Sequence, residues 1–397
     1  MNKKNVRAAY LVSHPIQYQA PLLSLLAHES DIDLKVFFCS DISVHEFVDE
    51  GFGQKVKWDV PLLEGYDYEF LPALGGTKRV DFWRPFNYGL LKRLKEYKPD
   101  VLIIHGYMRW FNWQAIAIAK LLGIRVFVRD ESTLFTKYRG RLKLFGKRIF
   151  FSVLKLAVNG WLVIGTSNKE YYLYYGVREN NLFLVPYTVN NDYFQKKIES
   201  VAGSRDNLKQ ELGLEKERSI ILFASKFQSR KRAQDLIEAY CRLSPDGKQE
   251  PEPYLLFIGD GEERANLEKQ AFETGWDSIK FLGFKNQLEL PQFYDLCSVF
   301  VLPSMHEPWG LVVNEAMNAG RAIIVSDQVG CGKDLVKQGK NGYIFKAGSV
   351  TELHQALIDV LVDINVAESM GKESLNIINQ WSYKQDIIGI RDGIGLN

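Results

Sequence analysis

The sequence predicts an α/β protein of two doubly wound, largely parallel domains. Three observations carry that expectation. Short β-rich apolar runs alternate with longer helical patterns, the scheme occurs twice along the chain, and a polar stretch separates the two series. A length of 397 residues also exceeds what one hydrophobic core usually spans, which favours two domains.

In the first half the apolar runs place strands at residues 8–13, 34–39, 101–105, 125–128, 161–164 and 183–185. The second half repeats the scheme at 219–224, 254–258, 279–282, 299–302, 322–325 and 343–345. Between them, residues 190–205 are polar and end in Gly203-Ser204, which reads as a linker. The expected domains are therefore 1–195 and 205–381, facing a cleft. Ligands of open parallel sheets bind beyond the carboxyl ends of the strands, so the loops there are where chemistry is expected.

Composition narrows the function. Fifty Lys and Arg against 48 Asp and Glu leave a net charge of +2, no footprint for nucleic acid. Four scattered cysteines lack the spacing of a zinc site or a disulfide scaffold, so a reducing cytoplasm is expected. The polar, basic start and the short apolar run after it suit neither a signal peptide nor a membrane span.

The most specific stretch is residues 303–317, where Glu307 and Glu315 are separated by seven residues after a buried strand and into a helix. Glu307 falls in the loop and Glu315 about one turn into the helix, on the face that looks back at the same pocket. Around Trp309, Gly310 and Leu311, free backbone N–H groups and the positive helix end make an anion site. A carboxylate accepts from both hydroxyls of a vicinal diol, so two glutamates flanking an anion site suit a sugar, a diphosphate and a ribose in series. Upstream, Lys226, Arg230 and Lys231 follow a strand, where cations can neutralise a leaving diphosphate; a solvated basic helix start is the alternative. Gly259 and Gly261 directly follow another strand, either for close approach to a ligand or as a simple turn.

Residues 207–345 resemble the retaining GT-B glycosyltransferases of the family four type, the glycosyl transferases group 1. The resemblance implies that Glu307 contacts the donor sugar and Glu315 the ribose. Ser225-Lys226-Phe227 with Lys231 keeps the spacing of the family's Gly-Arg-Leu and lysine, with Lys in place of Arg. Gly283 and Phe284 resemble the loop beside the nucleotide base, and Gly330, Asp334, Gly339, Asn341 and Gly342 follow the family's spacing. The fold implied is GT-B, two Rossmann-like domains with a final helix, about 382–397, packing back on the first. The activity implied is transfer from a nucleotide-diphosphate sugar, with no cofactor and no required metal, to a glycan or lipid-linked acceptor in cell-envelope polysaccharide synthesis. A sugar-nucleotide epimerase or hydrolase, and a non-catalytic two-lobed binding protein, are the competing readings.

The first half matches the family more loosely, as recognition of a variable acceptor implies. After the first strand, His14 and Gln17 either meet acceptor hydroxyls or close the loop. Tyr107 and Arg109 begin an aromatic cluster after the strand at 101–105, a cleft wall or a buried layer. Where many members carry His-Asp, this chain has Arg129-Asp130. Asp130 thereby becomes a candidate for catalysis and Arg129 one for acceptor binding. Residues 137–155 mix cations with apolar side chains, as in either a core helix with a solvated basic side or a segment lying on an anionic membrane surface at the inner face.

Overall fold

A computed structural model describes residues 5–49, 51–135, 141–243 and 252–396. The chain divides into two compact units, one of residues 1–47, 60–187 and 383–397, the other of residues 48–59 and 188–382.

The first unit carries a parallel sheet in the order Leu182–Leu184, Gly160–Val163, Arg125–Arg129, Val101–His105, Val6–Val12, Ile32–Phe38, Asp67–Phe70. The inner strands Val101–His105 and Gly160–Val163 are nearly continuous apolar runs, as expected of parallel strands buried on both faces. The strand Asp67–Phe70 escaped the pattern reading, since two of its four residues are acidic and it sits at the sheet edge. The final helix, Tyr383–Ile394, lies on the strands Leu182–Leu184 and Gly160–Val163. Gly389 permits that contact: a Cβ there would stand 1.8 Å from the Leu184 carbonyl oxygen.

The second unit carries the parallel sheet Ile279–Phe281, Tyr254–Ile258, Ile220–Ala224, Val299–Leu302, Ala322–Ser326, Gly342–Phe345. The order reverses between Ile220–Ala224 and Val299–Leu302. At such a switch point the following loops diverge to opposite faces and leave a crevice. The polar stretch taken for a linker holds a helix, Asn191–Val201, of this unit. Asn190 caps it by accepting from Tyr193 N at 3.0 Å, and Asn191, Phe194 and Ile198 are buried along one face. Only two apolar residues at a spacing of four carry that face, so a polar composition hid it.

Candidate functional site

The loops that leave the two switch-point strands of the second unit build a pocket. From Ile220–Ala224 the chain passes through a short turn of helix, Ser229–Lys231; from Val299–Leu302 it passes through Glu307 to the helix Leu311–Asn318. Met305 N donates to Arg230 O at 2.8 Å and binds the two loops together. Residues beyond the strand Ala322–Ser326 fix Glu307 from the other side: its N–H donates to Gln328 O at 3.0 Å, and its carbonyl accepts from Gly330 N at 2.9 Å.

Lys231 is buried and its ammonium bonds the Glu307 carboxylate, while Arg230 Nη1 stands 3.7 Å from the same oxygen. Burial pushes the Lys231 pKa down, and Glu307 opposes that shift. Gly310, at φ 101°, enters the helix Leu311–Asn318 without a side-chain cap, and within the first turn Val313 N donates to Gly310 O at 2.9 Å. Val312 lines a cavity of about 580 Å³ together with Ser225, Lys226, Arg230 and Lys231. Glu315 lies one turn beyond Val312 and is buried, with Oε2 accepting from Tyr294 OH at 2.7 Å. Burial raises its pKa to about 7, partly opposed by that hydrogen bond.

Other expected residues of this unit fall close by. Gly259, at φ 135°, lies so near the first loop that a Cβ would stand 1.9 Å from Ser225 O, and its N–H donates to Gly283 O at 2.9 Å. Phe284 packs edge-on to Phe52 at 4.8 Å between centroids. The Trp309 indole is core, its ring stacked on Trp381 at 5.5 Å and its Nε1 donating to Asn314 Oδ1, which leaves the backbone as the part expected at the anion site. Sequence reasoning missed Asp49, whose carboxylate accepts from Lys226 Nζ at 2.7 and 2.9 Å, and Phe52 as a lining residue. Asp49 stands 177 positions from its partner in a short polar segment, with no local pattern to single it out. Tyr294, 21 positions before Glu315, was missed as well.

In the first unit the structure separates the expected residues. Arg129 is 2% exposed, pairs with Asp386 at 2.8 Å and donates to Pro186 O at 2.8 Å. It clamps the final helix to the sheet and does not reach an acceptor. Asp130 is buried too, accepting from Tyr172 OH, Ser132 Oγ and Ser132 N, so it is a structural acceptor of hydrogen bonds rather than a catalyst. Tyr107 is a core residue, its hydroxyl shared between Ser132 at 2.9 Å and Tyr171 at 2.7 Å.

His14, Gln17 and Arg109 stay half-buried near the carboxyl ends of the strands Val6–Val12 and Val101–His105, where this sheet's order also reverses. Burial, then the charge of Arg109, lowers the His14 pKa to about 4. Beside them Gln19 Nε2 approaches His105 Nδ1 at 2.5 Å, and Tyr187 OH donates to Glu131 at 2.8 Å. The side-chain oxygens of Gln17 and Gln19 are buried without a hydrogen-bond partner. Such groups suit hydroxyl donors.

Among the described residues no group of three or more His, Cys, Asp or Glu side chains could hold a metal ion, and no helix is long and apolar enough to cross a membrane.

The sequence model described as Glycosyl transferases group 1 matches residues 204–376. The chain is 33% identical over 145 residues to the sulfoquinovosyl transferase SQD2 of Arabidopsis thaliana, an overlap of 36% of this chain and 28% of that protein. It is 30% identical over 145 residues to the lipopolysaccharide core biosynthesis glycosyltransferase LpsE of Rhizobium meliloti, covering 36% and 40%. It thus spans less than half the length of these curated relatives. Among solved structures it resembles Anabaena HepE in complex with UDP, with a TM-score of 0.72 and 15% identity over 98% of this chain and 100% of that one. It also resembles a glycosyltransferase from Rickettsia africae ESF-5, with a TM-score of 0.74 and 13% identity over 100% of both chains. At such identities the likeness establishes the fold: two Rossmann-like units of the GT-B type.

Proposed function

Since residues 204–376 match the model of the glycosyl transferases group 1 and the two units are those of the GT-B fold, we propose that the chain transfers a sugar from a nucleotide-diphosphate donor to a glycan or lipid-linked acceptor. The observation that carries this reading is that Lys226 and Lys231 line one switch-point pocket, with Glu307 bonded to Lys231 and the buried Glu315 one helical turn beyond the lining residue Val312. Lys226, Arg230, Lys231 and the first-turn N–H groups of the helix Leu311–Asn318 hold the diphosphate and stabilise the charge that grows on it as it leaves. Glu315 holds the ribose diol and Glu307 the donor sugar, with Gly283 and Phe284 beside the base. His14, Gln17 and Arg109 meet the acceptor. Retention is what the resemblance to the retaining family implies; with no carboxylate assigned as a nucleophile, the acceptor then attacks from the face the diphosphate leaves. The UDP bound by Anabaena HepE makes uridine the first base to test. The same reading places the enzyme in the cytoplasm, in envelope polysaccharide synthesis.

The decisive experiment is calorimetric titration with UDP and other nucleoside diphosphates, followed by product analysis with the matching nucleotide sugars. Binding of none of them by the folded protein would overturn the donor site; release of free sugar only, or of an epimer, would replace transfer by hydrolysis or epimerisation. Two outcomes follow for the chemistry. Turnover persists in excess EDTA, because cationic side chains face the diphosphate; complete loss restored by Mg²⁺ or Mn²⁺ would refute this. Lys231→Ala removes a charge-assisted contact of about 1.5–3 kcal/mol, so turnover falls about ten- to a hundredfold. Wild-type turnover in the folded variant would return Lys231 to a purely structural pairing with Glu307.

A further inference from the structure

The helix Arg141–Ala157 has two apolar faces. One packs into the first unit through Phe151 and Leu154, which are 0% and 1% exposed. The other consists of Leu142, Phe145, Ile149, Val153 and Leu156, exposed by 88, 64, 52, 59 and 80%. Their spacing of three, four, four and three residues keeps all five on one stripe along the helix. Sequence periodicity left a core helix and a membrane-surface helix as alternatives, but the structure satisfies the core with one face and leaves the second uncovered.

The charge around the stripe selects its occupant. From residue 132 to residue 169 the sequence has no Asp or Glu and eight Lys or Arg. Arg148 is exposed beside the stripe, its guanidinium 5.7 Å from the ring centre of Tyr174, itself 46% exposed. Lys155 borders it and donates to the carbonyls of Tyr175 and Gly176. Apolar side chains flanked along one side by Arg148, Lys155 and an amphipathic tyrosine match the boundary between lipid tails and anionic headgroups. A second copy of the chain fits less well, because a two-fold contact through this helix sets like charges against each other, residues 132–169 holding no Asp or Glu.

We infer that the exposed stripe of the helix Arg141–Ala157 docks this protein, in the plane of the interface, on a membrane surface rich in anionic lipid. Lys137 and Arg139, in the same basic stretch, lie outside the described residues. The inference deepens the reading of a lipid-linked acceptor, yet its test is independent of catalysis.

The full chain is sedimented with phosphatidylcholine vesicles, with and without phosphatidylglycerol, at low and high salt. Binding to the anionic vesicles that weakens with salt is expected, because headgroup attraction is screened while the apolar contact is not. Ile149→Glu with Val153→Glu should lower the bound fraction on the order of tenfold. Phe145→Ser with Leu156→Ser adds no charge and should weaken binding in the same direction at an unchanged melting temperature. Failure of the wild type to bind anionic vesicles, or undiminished binding by both variants, would overturn the inference. So would light scattering that shows a dimer abolished by the same substitutions, without vesicle binding. UDP titration of each preparation reports separately on the donor site, so loss of one reading is not mistaken for loss of the other.

Discussion

Glu315→Gln is expected to make the nucleotide-free protein more stable at pH 8 while abolishing most of its affinity for nucleoside diphosphate. The carboxyl of Glu315 is held at a pKa of about 7 by burial, against 4.5 for an ordinary glutamate. A folded-state pKa above the unfolded one means that the folded protein binds this proton more tightly. Its stabilising contribution is therefore full below about pH 4.5 and is lost as pH rises through about 7. The gap corresponds to roughly 3 kcal/mol, which is the upper bound for the gain from a neutral isostere at pH 8. Tyr294 still has an acceptor in the variant, since the amide oxygen replaces the carboxylate oxygen it bonds. At pH 5 the advantage should shrink, because the wild-type side chain is then largely neutral as well.

Binding moves the other way. A carboxylate that accepts from both ribose hydroxyls contributes about 1.5–3 kcal/mol, so nucleoside diphosphate binds about ten- to a hundredfold more weakly to Glu315→Gln. Glu307→Gln should leave that affinity nearly intact and lose turnover, since its partner is the sugar, which the bare diphosphate lacks. Melting curves at the two pH values and calorimetry on both variants decide it. Equal losses of diphosphate affinity would end the division of labour between the two glutamates. A variant Glu315→Gln no more stable than wild type at pH 8 would show that desolvation does not govern this side chain.

Asp386→Ala should destabilise the protein by about 3–5 kcal/mol, because it leaves the Arg129 guanidinium buried without its counter-charge. Arg129 keeps its hydrogen bonds to Val185 O and Pro186 O, but two neutral carbonyls do not replace a carboxylate. The loss should appear first as release of the helix Tyr383–Ile394, seen as faster hydrogen exchange there than elsewhere in the unit. The double variant Arg129→Met with Asp386→Leu should recover most of the stability, since an apolar pair can fill a buried ion-pair site nearly neutrally. It also tests the structural role against the catalytic one. Turnover near wild type in the recovered double variant is expected; its collapse, with the fold intact, would restore Arg129 to the acceptor site.

What the sequence by itself determined is what short-range spacing can encode. Fully buried parallel strands are unbroken apolar runs, so Tyr254–Ile258 and Val299–Leu302 were legible to the residue. The helix bearing Glu315 and the loop bearing Glu307 were legible for the same reason, because a strand, a glycine turn and a helix follow one another within 20 residues. Tertiary structure alone decided which polar groups those elements meet. Arg129 could be read as an acceptor contact until Asp386, 257 positions later, was found against it. Asp49 reaches Lys226 across 177 positions. Whether Ile149 and Val153 are covered depends on what packs over one helix, and periodicity marks a face as apolar without saying whether anything lies on it. A charge or an exposed face takes its meaning from a partner that the fold brings from far along the chain, and local periodicity carries no record of that partner.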